Sequence, residues 1–297
     1  MTHSLPPADF YCSQLSAAQD EPMAGTAVSA PIWVLLEYRQ PWLAQATNDN
    51  SLPTAVQAWL AAQLSAVNGR LQFIRQMPTP NDLACFIAVL DEQQPRLYRF
   101  TLETYEELLA LSLADVVADD GRFAANLHPD PLFLVCTNGK RDRCCALFGA
   151  ALYRELAAQV GTAVWQTTHL GGHRFAPTLL TFPDGVSYGR VAPTDVPNLL
   201  AAQNQGELLL GHLRGRLIYD APTQAADYFL RQQIGQPQLT AFQHLQTEPT
   251  AEGQWQILFR AANGQTHTIH LQTTDPQPIW ASCGGPQPKP IRSFILR

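Results

Sequence analysis

Three cysteines fall within ten residues of this chain, Cys136, Cys144 and Cys145, and two histidines follow, His169 and His173. Thiolate sulfur and neutral imidazole nitrogen are the side-chain donors favoured by soft and borderline metals, so these residue types together form a potential ligand set. Between the histidines stand Leu170, Gly171 and Gly172. A helix would also put two residues four apart on one face, but paired glycines argue against helix. They allow a backbone turn tight enough for both rings to face one point. Two cysteines and two histidines suit a tetrahedral zinc ion. They suit equally a 2Fe–2S centre of the Rieske kind, where two imidazoles replace two thiolates. That replacement leaves the oxidised centre formally neutral, so an added electron costs less and the potential rises. The residue types alone leave zinc and iron both open. A third chemistry, a thiol nucleophile at Cys136 or Cys144, is disfavoured because no Cys-x-x-Cys follows a strand.

The elements that must position these donors occur twice in the same order. The first pass has an apolar strand over 32–38, a helix over 54–67, strands over 71–75, 85–90 and 97–101, and a helix over 104–114. The second has a strand over 132–136, a helix over 146–159, strands over 163–168, 178–182 and 186–191, and a helix over 196–203. From the first helix onward the passes keep an offset of about 92 residues, the mark of a tandem duplication. The fold expected is α/β: tandem thioredoxin-like units, each a mixed sheet flanked by helices, with a strand-rich C-terminal extension. The divisions are 1–118 for a first unit, 119–205 for the unit with the donors, and 206–297 for the extension. In that extension a helix is predicted over 222–233, and strands 255–260 and 266–271 flank the hairpin signal Asn263-Gly264.

The duplication acts as an internal control. Shifted back by the offset, the two histidines fall on Met77 and Asn81, and residues 33–84 hold neither Cys nor His. What the fold requires should recur; what a site requires need not. The cysteine stretch follows a strand, at the carboxyl edge of a sheet where ligand sites collect, and just before a helix N-terminus that favours a thiolate.

Composition excludes several classes. The 297-residue chain is 46% hydrophobic and 15% charged, enough to bury a real core, and its formal charge of −6 with scattered bases argues against nucleic acid. The opening residues have neither a basic nor an apolar stretch of export-signal type, and the longest apolar run, 83–90, is too short to span a bilayer. The expectation is a cytoplasmic protein with no membrane segment, whose six cysteines are not paired as disulfides. Of the others, Cys85 reads as a core residue and Cys12 and Cys283 as thiols without partners.

The runs Val135-Cys136-Thr137, Lys140-Arg141-Asp142-Arg143-Cys144-Cys145-Ala146 and His169-Leu170-Gly171-Gly172-His173-Arg174-Phe175-Ala176 resemble the signature of the sucrase/ferredoxin-like family. Gly25-Thr26-Ala27, Tyr188-Gly189-Arg190, Leu213-Arg214-Gly215-Arg216, Ala221-Pro222-Thr223-Gln224-Ala225-Ala226 and Ser282-Cys283-Gly284 extend the resemblance along nearly the whole chain. Two positions depart from it: Asn138 stands where relatives often carry His, and Cys144 where some carry Arg. The resemblance implies a thioredoxin-like ferredoxin whose 2Fe–2S cluster is held by Cys136, Cys145, His169 and His173, with zinc as the alternative occupant. It implies electron exchange with a redox partner protein, a reductase or an acceptor, more than an enzyme with its own substrate. Lys140, Arg141, Arg143 and Arg174 are then expected to stabilise the reduced cluster and attract an acidic partner. Asp142 is expected to orient Arg141 or cap the helix. Glycoside hydrolysis would need two carboxylates held across a cleft, and Glu37, Asp142 and Asp184 show no such pairing.

Overall fold

The computed structural model describes residues 10–77, 79, 81–118 and 120–297. The opening residues 1–7, read above for an export signal, lie outside the described residues. After a short helix α1 (Cys12–Ala18), the first pass gives β1 (Ile32–Glu37), α2 (Thr54–Ala66), β2 (Gly69–Arg75), β3 (Leu83–Val89), β4 (Arg96–Leu102) and α3 (Leu113–Ala118). The second gives β5 (Leu132–Cys136), α4 (Arg143–Val160), β6 (Val164–Thr167), β7 (Thr178–Phe182), β8 (Val186–Gly189), α5 (Val196–Asn204) and β9 (Leu213–Arg216).

These strands form one nine-stranded sheet in the order β4-β3-β1-β2-β6-β5-β7-β8-β9. Within each half the first two strands run parallel, and the third pairs antiparallel with the first and with the fourth. The halves are thus two copies of one mixed sheet, joined where β2 and β6 pair antiparallel through Ile74–Thr167 and Arg75–Gln166. The wholly buried β1, β3 and β5 have no polar face because side chains from both sides of the sheet are covered.

The sheet is strongly curled. Trp33 on β1 and Phe182 on β7 are four strands apart in the order, which a flat sheet would place about 19 Å from each other. Their ring centroids are 6.0 Å apart. The concave face therefore carries one core shared by both halves, with Trp33, Leu35, Phe86, Leu134, Trp165 and Phe182 in it. Cys136 and Cys145 lie at one end of that core.

The first half differs from its sequence pattern in one element. A single helix over 104–114 is replaced by a 3-10 helix, Tyr105–Ala110, followed by the separate α3. Leu111 between them is extended (φ −97°, ψ 143°), and Ser112 Oγ accepts the Asp115 N–H at 3.3 Å, opening a new helix.

Beyond β9, α6 (Ala221–Ile234) buries Ala225, Ala226 and Leu230 against an antiparallel sheet of β10 (Phe242–Ala251), β11 (Gln254–Ala261), β12 (Thr266–Thr273) and, added last, a short C-terminal strand. The β11–β12 hairpin turns at Asn263-Gly264, with Gly264 at φ +86°. Two further strands, β13 (Gln277–Ile279) and β14 (Lys289–Ile291), pair with each other, and the C-terminal strand is β15 (Phe294–Leu296). The loop between β13 and β14 carries Cys283 back to the start of α4. Among the described residues no helix is long and apolar enough to cross a membrane.

Candidate metal centre

Helix α4 starts three residues before its sequence pattern, at Arg143, because Asp142 caps it. Asp142 is extended (φ −158°, ψ 138°), and its Oδ1 accepts the Cys144 N–H at 2.9 Å, satisfying one of the donors a helix start leaves orphaned. Cys144 and Cys145 therefore stand in the first helical turn instead of in a loop. Successive helical residues point about 100° apart. Cys145 accordingly faces the end of β5, whereas Cys144 faces α1 and the loop holding Cys283.

Cys136 ends β5, fully buried, and the Cys136, Cys145 and His169 donor atoms lie within 4.8 Å of one another. Cys145 Sγ is 3.9 Å from His169 Nδ1. A hydrogen bond from Cys145, joined by His169, holds the Cys136 thiol well below its usual range against the effect of burial. The Cys145 thiol is pushed up by the same contact and by burial.

His169 and His173 follow β6 in the connection to β7, the place that Met77 and Asn81 occupy between β2 and β3. Gly171 (φ +79°) and Gly172 (φ +66°) fold the chain back so that His173 Nδ1 lies 3.3 Å from His169 Nε2. His173 Nε2 is buried with no hydrogen-bond partner and sits 3.7 Å from Asp142 Oδ2. Burial lowers the His173 pKa to about 4, with Asp142 pulling the other way, so the ring is neutral and free to donate a lone pair. His173 lies outside the 4.8 Å group of Cys136, Cys145 and His169 and meets it only through the far nitrogen of His169. Two sulfurs and one imidazole, with a second imidazole behind, are donor types that a metal group uses.

Arg214 on β9, part of the Leu213-Arg214-Gly215-Arg216 run, supports this loop from beneath. Its buried guanidinium donates to the Gly171 carbonyl at 3.0 Å and to Thr26 Oγ1 at 3.1 Å. A Cβ on Gly172 would lie 2.6 Å from Arg214 Nη2. Arg174 is not a free loop charge: it pairs with buried Glu21 at 2.6 Å. Arg174, Arg190 and Arg214 all lie over the ring of Phe175, at 4.3, 5.4 and 5.4 Å. Lys140, Arg141 and Arg143 are the exposed cations of the cysteine stretch, and Arg143 donates to the Phe10 carbonyl at 2.7 Å. Arg141 and Arg70 line a cleft of about 150 Å³ that opens beside His169.

Sequence reading missed a second convergence. Cys12, Cys144 and Cys283, read as separate thiols, meet with Asp142 in one group, and all six cysteines are free. The Asp142-Arg143-Cys144 and Ser282-Cys283-Gly284 motifs single out three of its members, but nothing in the spacing links them to one another or to Cys12.

A family model described as sucrase/ferredoxin-like matches residues 23–215, which hold the nine-stranded sheet almost entirely, the three donors of the first group and His173. The chain belongs to the sucrase/ferredoxin-like family. This family member is similar to "Altered inheritance of mitochondria protein 32" of Meyerozyma guilliermondii, 31% identical over 149 residues, 45% of this chain and 50% of the relative. The protein of the same name from Candida glabrata is 25% identical over 114 residues, 33% of this chain and 36% of the relative. The chain thus spans half or less of the curated relatives it matches. No solved structure matches. Cys12 and Cys283 fall outside the family match.

Proposed function

We propose that this protein holds a 2Fe–2S cluster on Cys136, Cys145, His169 and His173 and carries single electrons to or from a redox partner protein. The observation that carries the reading is the orphaned, buried Nε2 of His173 in ring contact with His169, whose donor atom lies with both sulfurs inside 4.8 Å. Such a cluster supplies one-electron chemistry without proton or group transfer to a substrate.

The protein's own residues set the terms. Two sulfurs at 1% exposure keep water from the thiolate end. The half-buried His169 and His173 form the side toward solvent, where an electron would leave. Arg214, a buried cation behind the histidine loop, offsets the negative charge of reduction. An imidazole bound to iron through one nitrogen would lose the proton on its other nitrogen more readily when iron is oxidised, so the potential would fall as pH rises. The exposed Lys140 and Arg141 favour a partner with an acidic docking face.

Anaerobically purified protein tests this. Two irons and two sulfides per chain, with a rhombic electron paramagnetic resonance signal carrying nitrogen hyperfine coupling after dithionite, support the reading. One zinc at these four residues, no iron and no redox wave would replace it with a zinc-stabilised binding module.

A further inference from the structure

The second convergence draws on a different set of side chains from the first centre, the two meeting where Asp142 lies 3.7 Å from His173. Cys12 comes from α1, Cys144 from the first turn of α4, and Cys283 from the β13–β14 loop, 271 residues from Cys12. Their sulfurs form a closed triangle: Cys12–Cys144 3.6 Å, Cys144–Cys283 3.2 Å and Cys12–Cys283 3.6 Å. A tetrahedral ion with metal–sulfur bonds of about 2.3 Å has sulfurs about 3.8 Å apart. The triangle is thus nearly one face of such a site. A disulfide uses two sulfurs and leaves the third without a purpose; three equivalent approaches are what a metal requires.

We infer that Cys12, Cys144, Cys283 and Asp142 form a second metal site, for a thiophilic divalent ion of the zinc class. Asp142 Oδ1 is 3.9 Å from Cys12 Sγ and supplies the fourth donor. The carboxylate is held in place by the Cys144 N–H at 2.9 Å and by Ser282 Oγ and the Cys283 N–H at 3.0 Å each. The sulfurs also have outer donors, Ser13 Oγ to Cys144 and the Cys12 N–H to Cys283, both at 3.3 Å, as metal thiolates commonly do. Cys12 and Cys144 are fully buried while Cys283 is half-buried, which gives an ion its entry. Bound there, the ion clasps α1 and the C-terminal loop to the helix end that presents Cys145 to the first centre. The site stands whether or not the first centre holds iron.

The test uses the full-length, reduced chain carrying Cys136→Ser and Cys145→Ser, titrated with cobalt(II) as the zinc surrogate. One cobalt per chain, with sulfur-to-cobalt charge-transfer absorption and tetrahedral visible bands that zinc abolishes, is expected. Adding Cys283→Ser should remove about one third of the charge-transfer intensity and weaken binding at least about tenfold. Cys12→Ser, on a short peripheral helix, should do the same. No cobalt uptake by the folded parent, or uptake unchanged by both serine variants, overturns the site. Should the parent fail to fold, metal analysis of the unaltered chain decides. One zinc that is lost in Cys283→Ser and Cys12→Ser with any iron retained supports the site, and no zinc refutes it. Failure of the iron reading would show instead as zinc bound in place of iron at the first centre, lost in Cys136→Ser.

Discussion

Gly149 packs so tightly on Cys136 that a Cβ at that position would lie 2.0 Å from the Cys136 carbonyl oxygen. Helix α4 can therefore lie on β5, and hold Cys145 against Cys136, only with glycine there. Gly149→Ala should cost at least about 3 kcal/mol and displace the two sulfurs. Thermal unfolding and iron content check it: both should fall together, whereas Gly161→Ala, with no atom within 4 Å but φ +56°, should lower stability by only about 1–2 kcal/mol and leave the iron.

The adjacent cysteines should separate cleanly. Cys145→Ser is expected to abolish the visible chromophore, and Cys144→Ser to keep it while releasing the second metal. Absorption spectra with parallel iron and zinc analysis give the answer; loss of colour in Cys144→Ser alone would reverse the assignment.

Acid should loosen the metal-free protein through His173. Its folded pKa is lowered by burial to about 4 from 6.5, so between those values the unfolded chain binds the extra proton. Stability is full above pH 6.5 and lost as pH falls toward 4, by about 2 kcal/mol after allowing for partial exposure. Denaturant titrations of metal-free protein across this window should show the slope, and His173→Gln should flatten it.

Cys85 should be inert. Burial pushes its thiol up to about 12, so almost no thiolate exists near neutrality. Native protein at pH 8 should show no alkylation at Cys85 by mass spectrometry, and full labelling once unfolded. Because the unfolded thiol ionises near 9, this residue's contribution to stability is intact below that pH and declines above it.

Arg214→Gln removes a buried cation and leaves the Gly171 carbonyl without its donor. The reduction potential should fall by tens of millivolts, roughly 1–2 kcal/mol for a unit charge at this depth. Voltammetry on the folded variant measures it; an unchanged potential would limit Arg214 to bracing the loop.

Local pattern was enough to read the strand and helix order, the duplication and the donor types, because hydrophobic periodicity and residue chemistry act over a few neighbouring positions. The Asn263-Gly264 hairpin and the glycine-turned pair His169 and His173 belong to that class. The orientation of Cys144 and Cys145 does not, since it depends on where α4 begins, and Asp142 fixes that by capping it in a context only the folded loop provides. The curl that brings Trp33 to Phe182, the seat of Arg214 beneath Gly171, and the meeting of Cys12 with Cys283 join residues far apart in the chain. Those relations follow from how the two halves and the C-terminal layer close over one another to bury apolar surface, a balance summed over the whole molecule and written in no single stretch of it.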